Sequence, residues 1–423
     1  MRTHIFGARL IDPASGTDQV TDLYLEAGKV AGIGQAPAGY EAEHSIDAKG
    51  LVAAPGLVDL NAALREPGYS RKGSIDSETR AAAAGGVTSL CCPPLTRPVL
   101  DTPAVAELIL DRAREAGHTK VFPVGALSKG LAGEQLAELV ALRDTGCVAF
   151  SNGLASFDSN RTLRRAMEYA ATFNLTLIFH AQDASLADGG MAHEGATAGF
   201  LGLAGIPESA ETVALARDLL LVEQSGVRAH FSQLTSARGA QMIAEAQARG
   251  LPVTADVALY QLLLTDEALI DFSSLYHVQP PLRTRADRDG LREAVKSGVI
   301  GAIASHHQPH EADAKLAPFA ATEPGISSVE LLLPLALSLV EDGLLDLPTL
   351  LARLTAGPAR ALRLPVGRLA VGAPADLVLF DPQARTRAGE QWLSKGRNSP
   401  FLGQDLPGKV RYTLMDGHIT YQD

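Results

Sequence analysis

Short apolar runs recur along the middle of the chain, with amphipathic stretches between them. The candidate strands are 56–60, 86–92, 120–124, 146–151, 175–180, 227–232, 252–257 and 300–305. The intervening helical patterns are clearest at 103–117, 159–173, 209–225 and 237–249. Over 103–117, Val105, Leu108, Ile109 and Ala113 follow helical spacing on one face. Glu107, Asp111, Arg112 and Glu115 take the other. Eight strands alternating with helices predict an α/β fold, a closed (β/α)8 TIM-type barrel over 55–364. An open doubly wound sheet is the alternative, and no glycine-rich phosphate loop speaks for it.

The two ends of the chain read differently. Residues 1–54 alternate apolar and polar positions, with turns at Asp12-Pro13 and Ala27-Gly28. Residues 365–423 do the same, notably over Ala375–Pro382 and Lys409–Tyr421. These are β patterns with hairpin punctuation. They predict one small β-sandwich built from both termini. No linker, low-complexity tract or solenoid repeat interrupts the chain.

Composition narrows the function classes. Of 423 residues, 46% are hydrophobic, enough for a large core, and the net charge is −11. The acidic balance argues against non-specific nucleic-acid binding, which needs a basic stripe. The longest apolar run, Leu331 to Val340, is too short to span a bilayer and contains Pro334. The N-terminal residues are not expected to form a signal peptide, because charge interrupts any apolar segment. Cys91, Cys92 and Cys147 have no zinc-finger spacing. Three cysteines in a chain this long indicate a reducing compartment, and a soluble cytoplasmic protein is expected.

The chemistry centres on Gly56-Leu57-Val58-Asp59-Leu60-Asn61-Ala62-Ala63-Leu64-Arg65-Glu66-Pro67-Gly68. Further on come Gly85-Gly86-Val87-Thr88, Val278-Gln279-Pro280-Pro281-Leu282-Arg283 and Ala304-Ser305-His306-His307-Gln308-Pro309-His310. Gly367 to Val378, Asn398-Ser399-Pro400-Phe401 and Gly408-Lys409-Val410 close the series. In this order and spacing the chain resembles the dihydroorotases of the amidohydrolase superfamily over almost its whole length.

The resemblance implies a zinc site at the barrel mouth, and most of its ligand positions are altered here. Asn61 and Ala63 stand where the family has two histidines on alternate strand positions. Ser151-Asn152-Gly153 stands where it has an acidic or modified-lysine ligand, so Asn152 offers no carboxylate. His180 retains the histidine after the fifth strand. Gln233 replaces the next one, and His306 replaces the aspartate that touches metal and acts as base. Arg65, the family's clamp for a substrate carboxylate, is retained, whereas a substrate-side asparagine becomes Pro94. Alanine has no donor atom, and amides are poor zinc ligands beside imidazole. Without zinc, water keeps a pKa near ~15.7 instead of about 7. A lone general base recovers only about 10²–10⁴-fold.

Structural readings stand beside the functional ones. His180 is a hydrogen-bonded strand-end histidine or a metal ligand. His306, His307 and His310 form a histidine cluster, of which only His306 is new relative to the family. A site rewired from His180, His306 and one neighbour is the metal-binding alternative. His230 is read as buried, Asp256 as a core hydrogen-bonding acid, and Glu66-Pro67-Gly68 as loop geometry. Arg65 pairs with a carboxylate at the mouth or holds a ligand. Cys91 and Cys92 read as barrel-strand residues. Tyr260 and Gln261 occupy a further histidine pair of the family.

The expectation is a catalytically inactive homologue with no catalytic residues, no metal and no cofactor. The resemblance extends to non-catalytic homologues that support assembly of aspartate carbamoyltransferase in pyrimidine biosynthesis. The expected partner is therefore that enzyme's catalytic chain in a hetero-oligomer, with homo-oligomerisation left open and no nucleic acid or membrane partner. The alternative is a diverged amidohydrolase acting on another cyclic amide with a rewired or absent metal site. A third reading is a small-molecule binder using Arg65.

Overall fold

The computed structural model describes residues 1–157 and 159–423. Eight parallel strands follow one another in chain order around a barrel. They are Leu57–Asp59, Val87–Cys92, Lys120–Ala126, Ala149–Ser151, Thr176–Phe179, Arg228–Phe231, Val253–Ala258 and Ala302–Ala304. Each boundary lies within two residues of the span expected from the apolar runs, except that the fourth strand starts three residues late, at Ala149.

The first and eighth strands close the barrel just beyond their ends. Ala62 and His307 form a parallel bridge, and the Ala63 N–H donates to the His307 carbonyl at 2.9 Å. The buried Asp59 carboxylate also accepts from the Ser305 N–H at 2.9 Å and from the Ser305 hydroxyl. Closure leaves no free edge on this side of the sheet. The motif around residue 61 therefore forms the seam of the barrel.

The helices carry standard end signals. In Pro103–Ala116, proline opens the helix and Gly117 ends it at φ 67°. Val105, Ala106, Ile109 and Ala113 are buried. Leu108, expected on that face, is 42% exposed, and Ala106 is buried instead. The stripe runs along i, i+4 and i+8, which leaves i+3 on its flank. The helices Asn160–Thr172 and Arg285–Ser297 are capped by Ser159 and Thr284 through their side-chain oxygens.

Strands from both termini form a second sheet, mixed and eight-stranded. Val52–Pro55 pairs with Leu377–Arg387, which joins the two ends of the chain. Alternation along these strands serves two cores. Leu377 and Leu379 pack with Ile5, Leu10 and Leu23 in the core of this sheet. Val378 and Phe380 instead join the main core around the barrel. Lys120 adds a polar tie, reaching Asp376 and Asp416 at 2.7 Å each.

The loops after the fifth, seventh and eighth strands are long. They carry the helix Ala196–Leu201 and several short 3₁₀ turns. They also carry a two-stranded parallel pair, Ala192–His193 with Gly205–Ile206. The apolar periodicity did not signal these pieces, because each is too short to show a repeat.

Candidate functional site

The cavity at the C-terminal end of the barrel has an empty volume of about 590 Å³. Pro93, Pro94, Leu95 and Leu154 form its apolar wall. Its polar lining includes Asn61, Ser151, His180, Gln233, Gln279 and Gln308. No Asp, Glu, Lys or Arg lines it among the described residues. In a (β/α)8 barrel this end is where chemistry is placed.

Asp256, on the seventh strand, organises the floor. Its carboxylate accepts from His230 Nε2 at 2.9 Å, the Ser232 hydroxyl at 2.9 Å and the Gln233 N–H at 2.7 Å. His306 Nε2 donates to it at 2.9 Å. Burial would raise this carboxyl, but the charge of His306 and the hydrogen bonds of His230 and His306 hold it well below the usual carboxylate range. His230 Nδ1 accepts from the Thr254 hydroxyl at 2.8 Å. Both nitrogens of His230 are thus engaged, as a core role requires.

His180 sits above this group, its ring edge-on to His306 with centroids 6.5 Å apart. Its Nδ1 is buried without a hydrogen-bond partner. Desolvation, helped by His306, pushes its pKa down to about 4. It is therefore a neutral and weak base at neutral pH. The reading of His180 as a hydrogen-bonded strand-end residue is thus corrected at Nδ1, because the pocket offers that atom no donor or acceptor.

The other inherited positions are built into the protein. Gln233 donates from Nε2 to the Tyr260 hydroxyl at 2.8 Å. Asn152 is turned away from the mouth. Its oxygen accepts from the Ser128 N–H and hydroxyl at 3.2 and 2.7 Å, and its nitrogen reaches the Leu131 and Ala155 carbonyls at 3.3 Å each. Ser151 faces the cavity in its place. Ala63 is buried at the seam. Gln261 donates to the Pro281 carbonyl at 3.2 Å.

Arg65 is also engaged. Its Nε donates to the Pro309 carbonyl at 3.0 Å, and Nη2 lies 3.4 Å from Gln308 Oε1 and 3.2 Å from His310 Nε2. Burial lowers its pKa, and the nearby Glu323 and Glu311 oppose that. It does not line the cavity. It pairs with no carboxylate by direct contact among the described residues, so the carboxylate-pairing reading is replaced by a backbone anchor. Arg65, Gln233 and His306 all adopt left-handed φ, at 64°, 62° and 46°. Non-glycine residues seldom do so outside sites where function or tight packing requires it.

The three neighbouring histidines have separate tasks. His307 Nδ1 accepts the N–H groups of Ser328 and Val329 at 3.0 and 3.3 Å, and Nε2 donates to Glu78 at 2.8 Å. His310 Nδ1 accepts from Lys72 at 3.2 Å, and Nε2 donates to the Pro324 carbonyl at 3.0 Å. Only His306 faces the Asp256 group. Glu66 accepts from the Ile75 N–H at 3.0 Å, which anchors the start of a helix. A side chain on Gly68, at φ 102°, would meet the Arg97 carbonyl at 2.3 Å. Glu66-Pro67-Gly68 thus acts through its geometry. Burial pushes the Cys92 thiol up to about 12 and raises Cys91 as well, so neither is a ready nucleophile.

The donor set does not fit the zinc centre of the resemblance. Among the described residues, no group of three or more His, Cys, Asp or Glu side chains is arranged to hold a metal ion. His306 Nε2 and the Asp256 oxygens already bond each other. What remains at the mouth is a neutral imidazole, amides and hydroxyls. This set can hydrogen-bond a small polar molecule, but it contains no group that would strongly activate water.

Comparisons with known proteins agree with the fold. The model described as dihydro-orotase-like matches residues 50–238, and that of an amidohydrolase family matches 338–421. A dihydroorotase-like protein of Pseudomonas aeruginosa is 77% identical over 422 residues, covering 100% of both chains. A dihydroorotase of Syntrophotalea carbinolica is 42% identical, covering 100% of this chain and 99% of its own. The solved L-hydantoinase of Arthrobacter aurescens superposes with a TM-score of 0.88 at 24% identity, over 99% of this chain and 95% of that one. The chain belongs to the dihydroorotase-like family of amidohydrolases. No helix among the described residues is long and apolar enough to cross a membrane.

Proposed function

We propose that this dihydroorotase-like chain is a catalytically inactive homologue and a structural subunit that supports assembly or stability of aspartate carbamoyltransferase. The observation that carries the inactive reading is the state of the mouth. Asn61, Ala63, Ser151, Gln233 and His306 occupy the ligand positions, and Gln233 and His306 are bound to protein groups. Among the described residues that line the mouth, His180 keeps a buried nitrogen without a hydrogen-bond partner. The partner rests on the resemblance in sequence. A well-packed barrel without usable chemistry can still act through its surface.

Two measurements test this reading. Purified protein incubated with excess zinc and then desalted should hold no stoichiometric zinc at the mouth and should show no dihydroorotase turnover. Mixed with aspartate carbamoyltransferase at micromolar concentration, it should co-elute as a multi-subunit complex. Turnover above background, with contaminating dihydroorotase excluded, overturns the inactive reading. Failure to co-elute, with a fully assembled and active carbamoyltransferase alone, overturns the partner.

The second reading is a diverged amidohydrolase. The His306–Asp256 pair favours it, because a carboxylate-oriented imidazole is a common general base. Against it, His306 is 2% exposed and does not line the cavity. Turnover of any cyclic amide that His306→Ala abolishes would establish this reading.

A further inference from the structure

The long loops after the fifth, seventh and eighth strands make one lobe on the mouth side of the barrel. Ala192, Ala198, Leu269 and Phe319 form its small core, one cluster drawn from all three loops. The Ser274 hydroxyl donates to the Lys315 carbonyl at 2.7 Å, and Lys315 Nζ returns to the His277 carbonyl at 3.3 Å. The lobe is thus a packed unit.

Its surface combines two features. Phe200 is 79% exposed and Leu316 is 78% exposed, the highest values among the large apolar side chains of the described residues. Ile270 and Phe272 are 51% and 50% exposed on the same lobe. Large exposed aromatics attached to one cluster mark interaction sites more often than scattered single residues do. The exposed charge carried by the loop segments themselves has one sign, with Arg285 exposed at their edge beside Glu267. Asp188, Glu194, Glu267, Asp271, Asp313 and Glu323 are exposed, and no exposed Lys or Arg occurs in 182–207, 263–278 or 311–323. The one lysine there, Lys315, is buried on backbone carbonyls. Glu267 and Glu323 are paired with Arg285 and Lys72, whereas Asp188, Glu194, Asp271 and Asp313 have no ion-pair partner among the described residues.

We propose that this lobe is a docking surface for a different protein chain, one that presents an apolar patch rimmed by Lys and Arg. Charge selects the occupant. A second copy placed face to face would bring Asp188, Glu194, Asp271 and Asp313 against their own equivalents, with no exposed Lys or Arg in these loop segments to balance them and Arg285 already paired with Glu267. A basic rim turns the same acids into complementary contacts, and Phe200 and Leu316 supply the desolvated centre. Because all three loops rise from the C-terminal ends of barrel strands, the partner would also cover the mouth. The identity of the occupant as aspartate carbamoyltransferase rests on the proposed function.

The test is co-elution and affinity measurement of the full chain with aspartate carbamoyltransferase. The chains compared are wild type, Phe200→Asp with Leu316→Asp, and the control Val20→Asp. Val20 is 73% exposed on the terminal sheet, far from these loops in the chain. Unchanged thermal melts establish that the variants fold. The expected result is at least tenfold weaker binding for the double variant and unchanged binding for the control. Raising salt from low to high ionic strength should weaken the wild-type complex by roughly tenfold, as opposite rims require. If wild type binds and the folded double variant binds equally, the surface is wrong while the partner stands. If wild type does not bind, the partner reading fails and this occupant falls with it. If sedimentation shows that the chain self-associates and the double variant abolishes this, the occupant is a second copy and the proposal is overturned.

Discussion

His306 and His307 are adjacent in sequence and belong to different parts of the molecule. His306 turns inward to Asp256 under the barrel mouth. His307 turns outward to Glu78, which also accepts from the Ser394 hydroxyl at 2.6 Å, the Ser77 hydroxyl at 2.7 Å and the Lys395 N–H at 3.1 Å. The Glu78 group ties a barrel helix, the seam and the C-terminal loop together, and no side-chain atom of Glu78, His307 or Ser394 is left without a partner. The mouth is different. Its floor is satisfied by Asp256, yet His180 above it keeps a buried nitrogen with nothing to bond. The first region has the completeness of a structural joint. The second leaves one buried imidazole nitrogen without a partner, while Gln233 and His306 beside it are bonded to protein groups.

The largest effect should come from the joint. Glu78→Ala leaves His307, Ser394 and the Lys395 N–H without their buried acceptor. Removing one partner of a buried charged group costs about 3–5 kcal/mol, and urea unfolding should show a loss of that order. The pH dependence has a definite sign. Burial raises the Glu78 carboxyl, but the hydrogen bonds donated by His307, Ser394 and Ser77 outweigh it and leave the pKa lowered. A lowered folded pKa stabilises the fold above the unfolded value, and that stability is lost as pH falls through the folded value. Wild type should therefore lose stability in acid more steeply than Glu78→Ala. Equal acid profiles would remove Glu78 from the role of joint.

A somewhat smaller loss is expected at the floor of the mouth. Asp256→Asn preserves shape but turns an amide N–H₂ toward His230 or His306, both of which donate in the wild type. Leaving buried donors unmatched costs about 1–3 kcal/mol. A thermal melt of this variant should fall between those of Glu78→Ala and wild type. A larger loss than for Glu78→Ala would reverse the ranking of the two regions.

Much of this contrast was legible in the sequence. The barrel strands were read from short apolar runs because burial on both faces makes them nearly continuous. Asn61 and Ala63, at positions where the resemblance implies imidazoles, were also readable, since residue types there need no structure. Other features were not. Asn152 was assigned to the mouth by its place after the fourth strand, but strand alternation puts Ser151 there and sends the Asn152 amide into a loop. Arg65 was read as a clamp or the partner of a carboxylate, and it bonds Pro309 because a carbonyl far along the chain approaches it. The tasks of His306, His307 and His310 depend on where the chain turns after the eighth strand, which no periodicity records. The acidic lobe was missed because its apolar residues come from three separated loops.

His180 gives a smaller effect, with its own sign. Its pKa of about 4 lies below the ordinary value of 6.5, because burial and His306 disfavour the charged ring. The fold therefore prefers neutral His180. Stability from this residue is complete above the unfolded pKa and falls as pH drops from 6.5 toward 4. His180→Leu removes that dependence and the unpartnered nitrogen together. It should be neutral or stabilising by about 1 kcal/mol at pH 5, read from paired melts at pH 5 and 7.5. Destabilisation at both pH values would show that His180 has a partner role in the fold and weaken the contrast drawn between the two regions.

The smallest expected effect is on catalysis itself. Asn61→His with Ala63→His restores two imidazoles beside His180, and three nitrogen ligands are enough for some zinc to bind. Zinc uptake by the double variant is therefore expected to rise, and metal analysis would detect it. Turnover of dihydroorotate is expected to stay at background. Ser151 still offers no carboxylate at the end of the fourth strand. Gln233 remains bonded to Tyr260, and His306 remains bonded to Asp256. The Asp256 oxygens are already occupied by four donors, so this acid is not free to take a proton from bound water. Groups that act as a unit do not recover in proportion to how many are restored. Zinc without turnover would mean that the scaffold has absorbed the remaining ligand positions. Turnover above that of wild type would mean that the mouth is two substitutions from an active site, and the division between joint and vestige would not hold.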